Sequence, residues 1–175
     1  MEEKIKILAP FFEERREFHI RELARLLKKN HTSVRQHLNK LVKEGYLQKK
    51  EERGYSLYKS IINKKYLNLK LYYNLEKLRK SGIIESIDKY FEYPLIVLFG
   101  SFSHAVDDEK SDIDLFILSE ADRNFNLEKY EKILNRKISF HIFNKKQFVE
   151  LKKKNPEFVN SLCNGFVLSG KLGVL

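Results

Sequence analysis

An α+β protein in two domains joined by a helical connector is what this sequence predicts, and three observations carry the reading. Residues 1–62 combine apolar residues at helical spacing with two short strand-like runs. Residues 63–93 hold leucines at intervals of four, four and three. Residues 94–175 open on Leu95-Ile96-Val97-Leu98-Phe99, a continuous apolar run of the kind found in strands buried on both faces, and so predict a mixed β-sheet flanked by helices. At 175 residues the chain is long enough for two small cores. A hydrophobic content of 42%, against 33% charged residues of both signs, excludes a disordered chain. Seven Gly and three Pro leave little material for a flexible linker, which favours a helix as the joint.

Along the chain, Ile5, Ile7, Leu8, Phe11 and Phe12 predict a first helix that Pro10 should kink or restart. His19-Ile20-Arg21 reads as an extended entry to a second helix, with Leu23, Ala24, Leu26 and Leu27 as its buried stripe and Asn30 as its stop. His31-Thr32-Ser33 offers capping hydroxyls to a third helix, whose inner face is Val34, Leu38, Leu41 and Val42. It runs to Glu44, and Gly45 can take the left-handed position that ends it. Two strand-like runs, 46–50 and 55–59, then flank the polar turn Glu51-Glu52-Arg53-Gly54.

With its apolar residues inward, the third helix leaves Thr32, Ser33, Arg35, Gln36, Asn39, Lys40 and Lys43 on or beside its outer face. These are types that read base edges and neutralise phosphates. The order helix, short strand, helix, helix, hairpin, and the run "LARLLKKNHTSVRQHLNKLVKEGYLQK", resembles the winged helix-turn-helix of bacterial and archaeal regulators over roughly the first 62 residues. The resemblance implies that the helix from Thr32 to Lys43 enters the major groove of duplex DNA. It also implies that Lys49, Lys50 and Arg53 approach the backbone or minor groove, and that the protein works as a homodimer. Protein docking is the alternative use of such a fold.

Charge is distributed accordingly. The formal net charge is +10; through Tyr66 there are 17 Lys+Arg against 9 Asp+Glu, and beyond it 17 against 15. A positive field concentrated in one part attracts nucleic acid, or else is a solvated lysine-rich surface. One cysteine, Cys163, excludes an internal disulfide and a cysteine-based zinc site, and its place beside Leu162 predicts a core position. No secretory signal and no bilayer-length apolar run are present, so a cytoplasmic protein without membrane contact is expected.

The connector should contain one long amphipathic helix carrying Leu67, Leu71, Leu75 and Leu78, broken at Ser81-Gly82. A second apolar face follows with Ile83, Ile84, Ile87, Tyr90 and Phe91. A Leu/Tyr stripe of this kind is core or a dimer surface.

The apolar strand 95–99 delivers the chain into Gly100-Ser101, and a Gly-Ser pair at a strand end lets backbone amides approach phosphate oxygens. Asp112-Ile113-Asp114 then begins a second strand, Leu115-Phe116-Ile117-Leu118. Alternation puts both carboxylates on one face, where their repulsion is relieved by a hard divalent cation such as Mg²⁺. The stretch "LIVLFGSFSHAVDDEKSDIDLFIL" resembles the nucleotidyltransferase superfamily that includes DNA polymerase beta, and within it the minimal nucleotidyltransferases. By that resemblance Gly100 and Ser101 hold a nucleoside triphosphate, Asp112 and Asp114 bind Mg²⁺ or Mn²⁺, and the reaction is metal-assisted nucleotidyl transfer.

Members of this superfamily usually add a third carboxylate from the next strand. Here that strand should be residues 137–143, whose polar face shows Ser139 and His141 and no acid. His141 is then a substitute catalytic group or a structural residue. The tail should form helices from about Lys145 and Glu157 and a short closing strand that cover the sheet. Three readings of function follow. The first is a DNA-binding transcriptional regulator that binds nucleotide and metal. The second is an active AMP-transferring antitoxin acting on a HEPN-type partner protein. The third is an interaction module in which both folds are degenerate.

Overall fold

A computed structural model of the protein describes residues 2–52, 54–121 and 124–173. The chain divides into two compact units, Met1–Tyr73 and Asn74–Leu175. In the first, α1 (Glu2–Glu13) buries Ile7, Leu8, Phe11 and Phe12 and runs unbroken through Pro10. No restart occurs at the proline, because buried pairs on both sides of it hold one helical face against the core. A two-residue strand, β1 (Phe18–His19), leads into α2 (Ile20–Leu26), so Ile20 and Arg21 are already helical. Leu26 is 55% exposed instead of buried. At 100° per residue it lies about 110° from the centre of the Ile20, Leu23, Ala24, Leu27 stripe and cannot share it.

The next helix, α3 (His31–Lys43), starts one residue before Thr32, and its cap is Asn30, whose Oδ1 accepts a 2.7 Å bond from the Ser33 amide. Asn30 therefore starts this helix rather than only stopping the one before, and the capping hydroxyls expected at Thr32 and Ser33 are not the cap. At the far end Gly45 takes φ +77°, with bonds from Gly45 N to Val42 O and from Tyr46 N to Leu41 O. That pair is the glycine-dependent helix stop expected after Glu44. The strands β2 (Leu47–Glu52) and β3 (Tyr55–Ser60) pair antiparallel, and β1 adds to the other edge of β3. Arg53, at the turn, lies outside the described residues.

Helix α4 (Lys64–Ser81) begins in the first unit and ends in the second. Its buried line is Tyr66, Lys70, Asn74 and Leu78, and the leucines at 67, 71 and 75 are only half-buried. Polar groups decide the matter: the Tyr66 hydroxyl donates to Phe11 O at 2.6 Å, and the Asn74 amide reaches Phe102 O at 3.0 Å. Segment 63–93 thus supplies side chains to both cores.

In the second unit Gly82 turns the chain at φ +73° into α5 (Ile83–Tyr90). There follow β4 (Leu95–Phe99), the single turn α6 (Gly100–Ser103), β5 (Ile113–Leu118), α7 (Glu128–Leu134), β6 (Ile138–Phe143), α8 (Lys145–Lys154), α9 (Pro156–Cys163) and β7 (Phe166–Ser169). The sheet has the order β6-β5-β4-β7, with β5 and β6 parallel and the other pairs antiparallel. Alternation sorts its side chains: Ile96, Leu98, Ile113, Leu115 and Ile117 pack under α5 and α7. Leu95, Val97, Phe99 and Phe116 pack under α8 and α9. This is the mixed sheet flanked by helices that the sequence predicts.

Candidate functional site

The second face of the sheet carries the acidic pair at its end. Asp114 stands opposite Phe99 on β4 and Ser139 on β6, and Asp112 directly precedes β5. Asp112 is exposed and Asp114 half-buried. Burial and, in smaller measure, the neighbouring Asp112 push the Asp114 carboxyl above the usual carboxylate range, while His141 pulls it down. Two neighbouring carboxylates form a hard-oxygen site whose repulsion a divalent cation relieves. In that sense the residues fit such an ion.

Gly100 has φ +71°, and a Cβ placed on it would lie 2.1 Å from Asp114 Oδ2. The missing side chain thus makes room for the carboxylate itself, in addition to any phosphate. On α6, the Ser103 hydroxyl is spent on Gly100 O at 2.7 Å, and the Ser101 carbonyl accepts from the amides of His104 and Val106.

Opposite the pair, β6 presents Ser139, whose hydroxyl stands 3.5 Å from Asp112 Oδ2, and His141. The His141 ring packs against Phe99 and Phe158, with centroids 5.4 and 5.6 Å away. Among the described residues no three His, Cys, Asp or Glu side chains are gathered closely enough to hold a metal together. The arrangement offers two carboxylates to a cation, with an aromatic-bounded imidazole two residues beyond Ser139 on the same strand.

Sequence reasoning passed over the group beneath this site. Asp107, in the loop between α6 and β5, is fully buried. It faces Arg136 at 3.3 Å and accepts from Asn74 at 2.9 Å. No local pattern marks an arginine between a helix and a strand as the partner of an aspartate so distant in sequence. Cys163 is exposed, against the core position expected, because it is the last residue of α9, whose inward stripe is Phe158, Val159 and Leu162.

In the first unit Thr32, Arg35, Gln36, Asn39, Lys40 and Lys43 are exposed on α3 and Ser33 is half-buried. Asn39 is tied to the hairpin, its Oδ1 accepting from the Tyr58 hydroxyl at 3.2 Å. Lys49 pairs with Glu51 at 2.5 Å and Lys50 with Glu52 at 2.8 Å, so both wing lysines carry acid partners. Beside α3 an open groove of about 940 Å³ collects Arg21, Arg25, His31, Arg35 and Tyr55. Among the described residues no helix is long and apolar enough to cross a membrane.

Comparison with known proteins gives two family matches. The family described as bacterial regulatory protein, arsR family, matches residues 2–49, and that described as polymerase beta, nucleotidyltransferase, matches residues 81–171. No curated protein matches. Among solved structures the chain is similar to TrmBL2, an archaeal chromatin protein whose structure shows a novel mode of DNA binding, at 14% identity and a TM-score of 0.29, over 93% of this chain and 70% of that one. With more than half of its residues matched on the unit that holds Gly100, Asp112 and Asp114, the chain belongs to the polymerase beta nucleotidyltransferase family and carries a helix-turn-helix of the ArsR type at its N-terminus.

Proposed function

We propose that the protein is a transcriptional regulator that binds duplex DNA through α3 and its hairpin, and binds a nucleoside triphosphate with Mg²⁺ or Mn²⁺ at the end of β5. Asp112 and Asp114 would hold the ion, and Gly100 and Ser101 would lie against the phosphates. When bound, the ion supplies charge neutralisation at the phosphates. The observation that carries the reading is the Gly100–Asp114 fit, in which a left-handed glycine leaves space for a half-buried carboxylate beside a second one. Ser139 in place of a third carboxylate argues for binding with little turnover.

His141 supports a second reading, the AMP-transferring antitoxin of a HEPN-type partner. Its charge is felt at Asp114, so it stands within electrostatic reach of the pair. A homodimer belongs to both readings, and the half-buried Leu71 with the exposed Tyr72 on α4 supplies a surface for it.

The test is calorimetric titration of the full chain with ATP, GTP, CTP and UTP in Mn²⁺, run beside transfer of labelled AMP to protein or RNA. Binding that disappears in Asp112→Asn, without transfer of label, is expected. Efficient transfer that falls sharply in His141→Ala would establish the enzyme instead. A folded protein that binds no nucleotide at millimolar concentration would refute both.

A further inference from the structure

Asp112 is exposed, beside Asp114, and the Ser139 hydroxyl donates to its Oδ2 over a long 3.5 Å. What orients it is the backbone on either side. The Ser111 carbonyl, just before it, accepts from Arg136 Nη1 at 3.0 Å, and the Ile113 amide, just after it, donates to Lys137 O at 2.9 Å. Two consecutive residues at the entrance to β6 therefore grip both flanks of Asp112. The same Arg136 Nη1 also donates to the Asp108 carbonyl, and Nη2 faces Asp107 Oδ2 at 3.3 Å. Both side chains of that pair are almost wholly buried, at 3% and 1% exposure. Asn74 completes the group by donating to Asp107 Oδ1 and to Phe102 O.

A buried arginine and aspartate are costly to desolvate, and well-packed apolar residues of similar size commonly do as well for stability. An apolar pair, however, cannot hold two carbonyls. Resting on the reading of Asp112 as a metal ligand, we propose that Arg136 is a positioning residue for Asp112, fixing loop 107–112 through the Asp108 and Ser111 carbonyls while Asp107 neutralises its charge. The fork geometry of the guanidinium is what the task needs, since several diverging donors must be met at once. Asp108 adds local stiffness: its carboxylate accepts from the Lys110 amide and from the Ser111 hydroxyl, closing the loop on itself.

The experiment measures Mn²⁺ binding to the full chain by the electron paramagnetic resonance of free ion, alongside thermal melting. Arg136→Met alone leaves Asp107 buried without its cation and is expected to unfold the unit. The informative protein is therefore the double variant Arg136→Met/Asp107→Leu, which removes both charges together. It is expected to melt close to the wild type yet bind Mn²⁺ at least about tenfold more weakly, as supporting groups around metal ligands do when lost. Arg136→Lys, which keeps the charge beside Asp107 but loses the fork, should show the same split between unchanged melting and weakened binding. Wild-type affinity in either folded variant would make the network purely structural and overturn the proposal. Absence of Mn²⁺ binding in the wild type would instead overturn the assignment of Asp112 as a ligand.

Discussion

At Gly100 two constraints coincide: a left-handed backbone, and a carboxylate oxygen where a side chain would begin. Gly100→Ala must either move Asp114 or distort the turn, besides the roughly 1–2 kcal/mol that a left-handed conformation costs an L-residue. We expect a lower melting temperature together with loss of Mn²⁺ and nucleotide binding, seen by calorimetry; unchanged binding would mean that Asp114 is not where the ligand meets the protein. Asp114 itself is raised in pKa by burial. Ionised Asp114 therefore costs stability that is absent below the unfolded-state pKa, grows as pH rises from there to the folded-state value, and stays constant above it. Asp114→Asn should melt higher than the wild type at neutral pH and alike below about pH 4, the ordinary carboxylate value. The same substitution should remove metal binding, so a gain in stability accompanies the loss of function.

Among the elements, the wing shows how local pairing alters a surface that composition alone describes as basic. Lys49 and Lys50 lie on β2 with Glu51 and Glu52 two residues further on the same strand, where alternation brings i and i+2 to one face. Such exposed pairs are worth about 0–1 kcal/mol and exchange readily with phosphate, but each still leaves a negative charge near the DNA. Glu51→Gln/Glu52→Gln should therefore tighten duplex binding several-fold at low salt and steepen its salt dependence, measured by fluorescence anisotropy at several salt concentrations. No change would place the wing away from the phosphates. On α3 the apolar positions Val34, Leu38 and Leu41 are buried at three- and four-residue spacing, which leaves the polar residues outside as the helix period dictates.

For the whole molecule, the proposed binding of DNA by one unit and of nucleotide by the other makes a quantitative demand. If MnATP changes the affinity for duplex DNA by some factor, DNA must change the affinity for MnATP by that same factor, because both report one coupling free energy. A regulator responding to nucleotide should show a factor of about 5 to 150, the usual range for linked sites. Titrating each ligand in the presence and absence of the other, in one buffer, checks it. A factor of one in both directions would leave two independent functions on one chain.

The residues of the candidate site were legible in the sequence because their signals are local. Gly100-Ser101 follows an apolar run, Asp112 and Asp114 share a face by the two-residue period of a strand, and Gly45 ends a helix whose period is plain from Val34 to Val42. The absence of an acid from the polar face of β6 was equally plain, since it too needs only alternation. What the tertiary structure decided lies in contacts between distant residues. Asn74 meets Asp107 across 33 positions and Arg136 meets Ser111 across 25, and no periodicity spans such intervals. The same reason explains α4, where Leu67, Leu71 and Leu75 yield the buried line to Tyr66, Lys70 and Asn74, and Leu78 alone of the series keeps its place. A helix period shows which residues share a face, but which face is covered depends on hydrogen-bond partners that only the fold brings near: Phe11 O for Tyr66, and Phe102 O and Asp107 for Asn74.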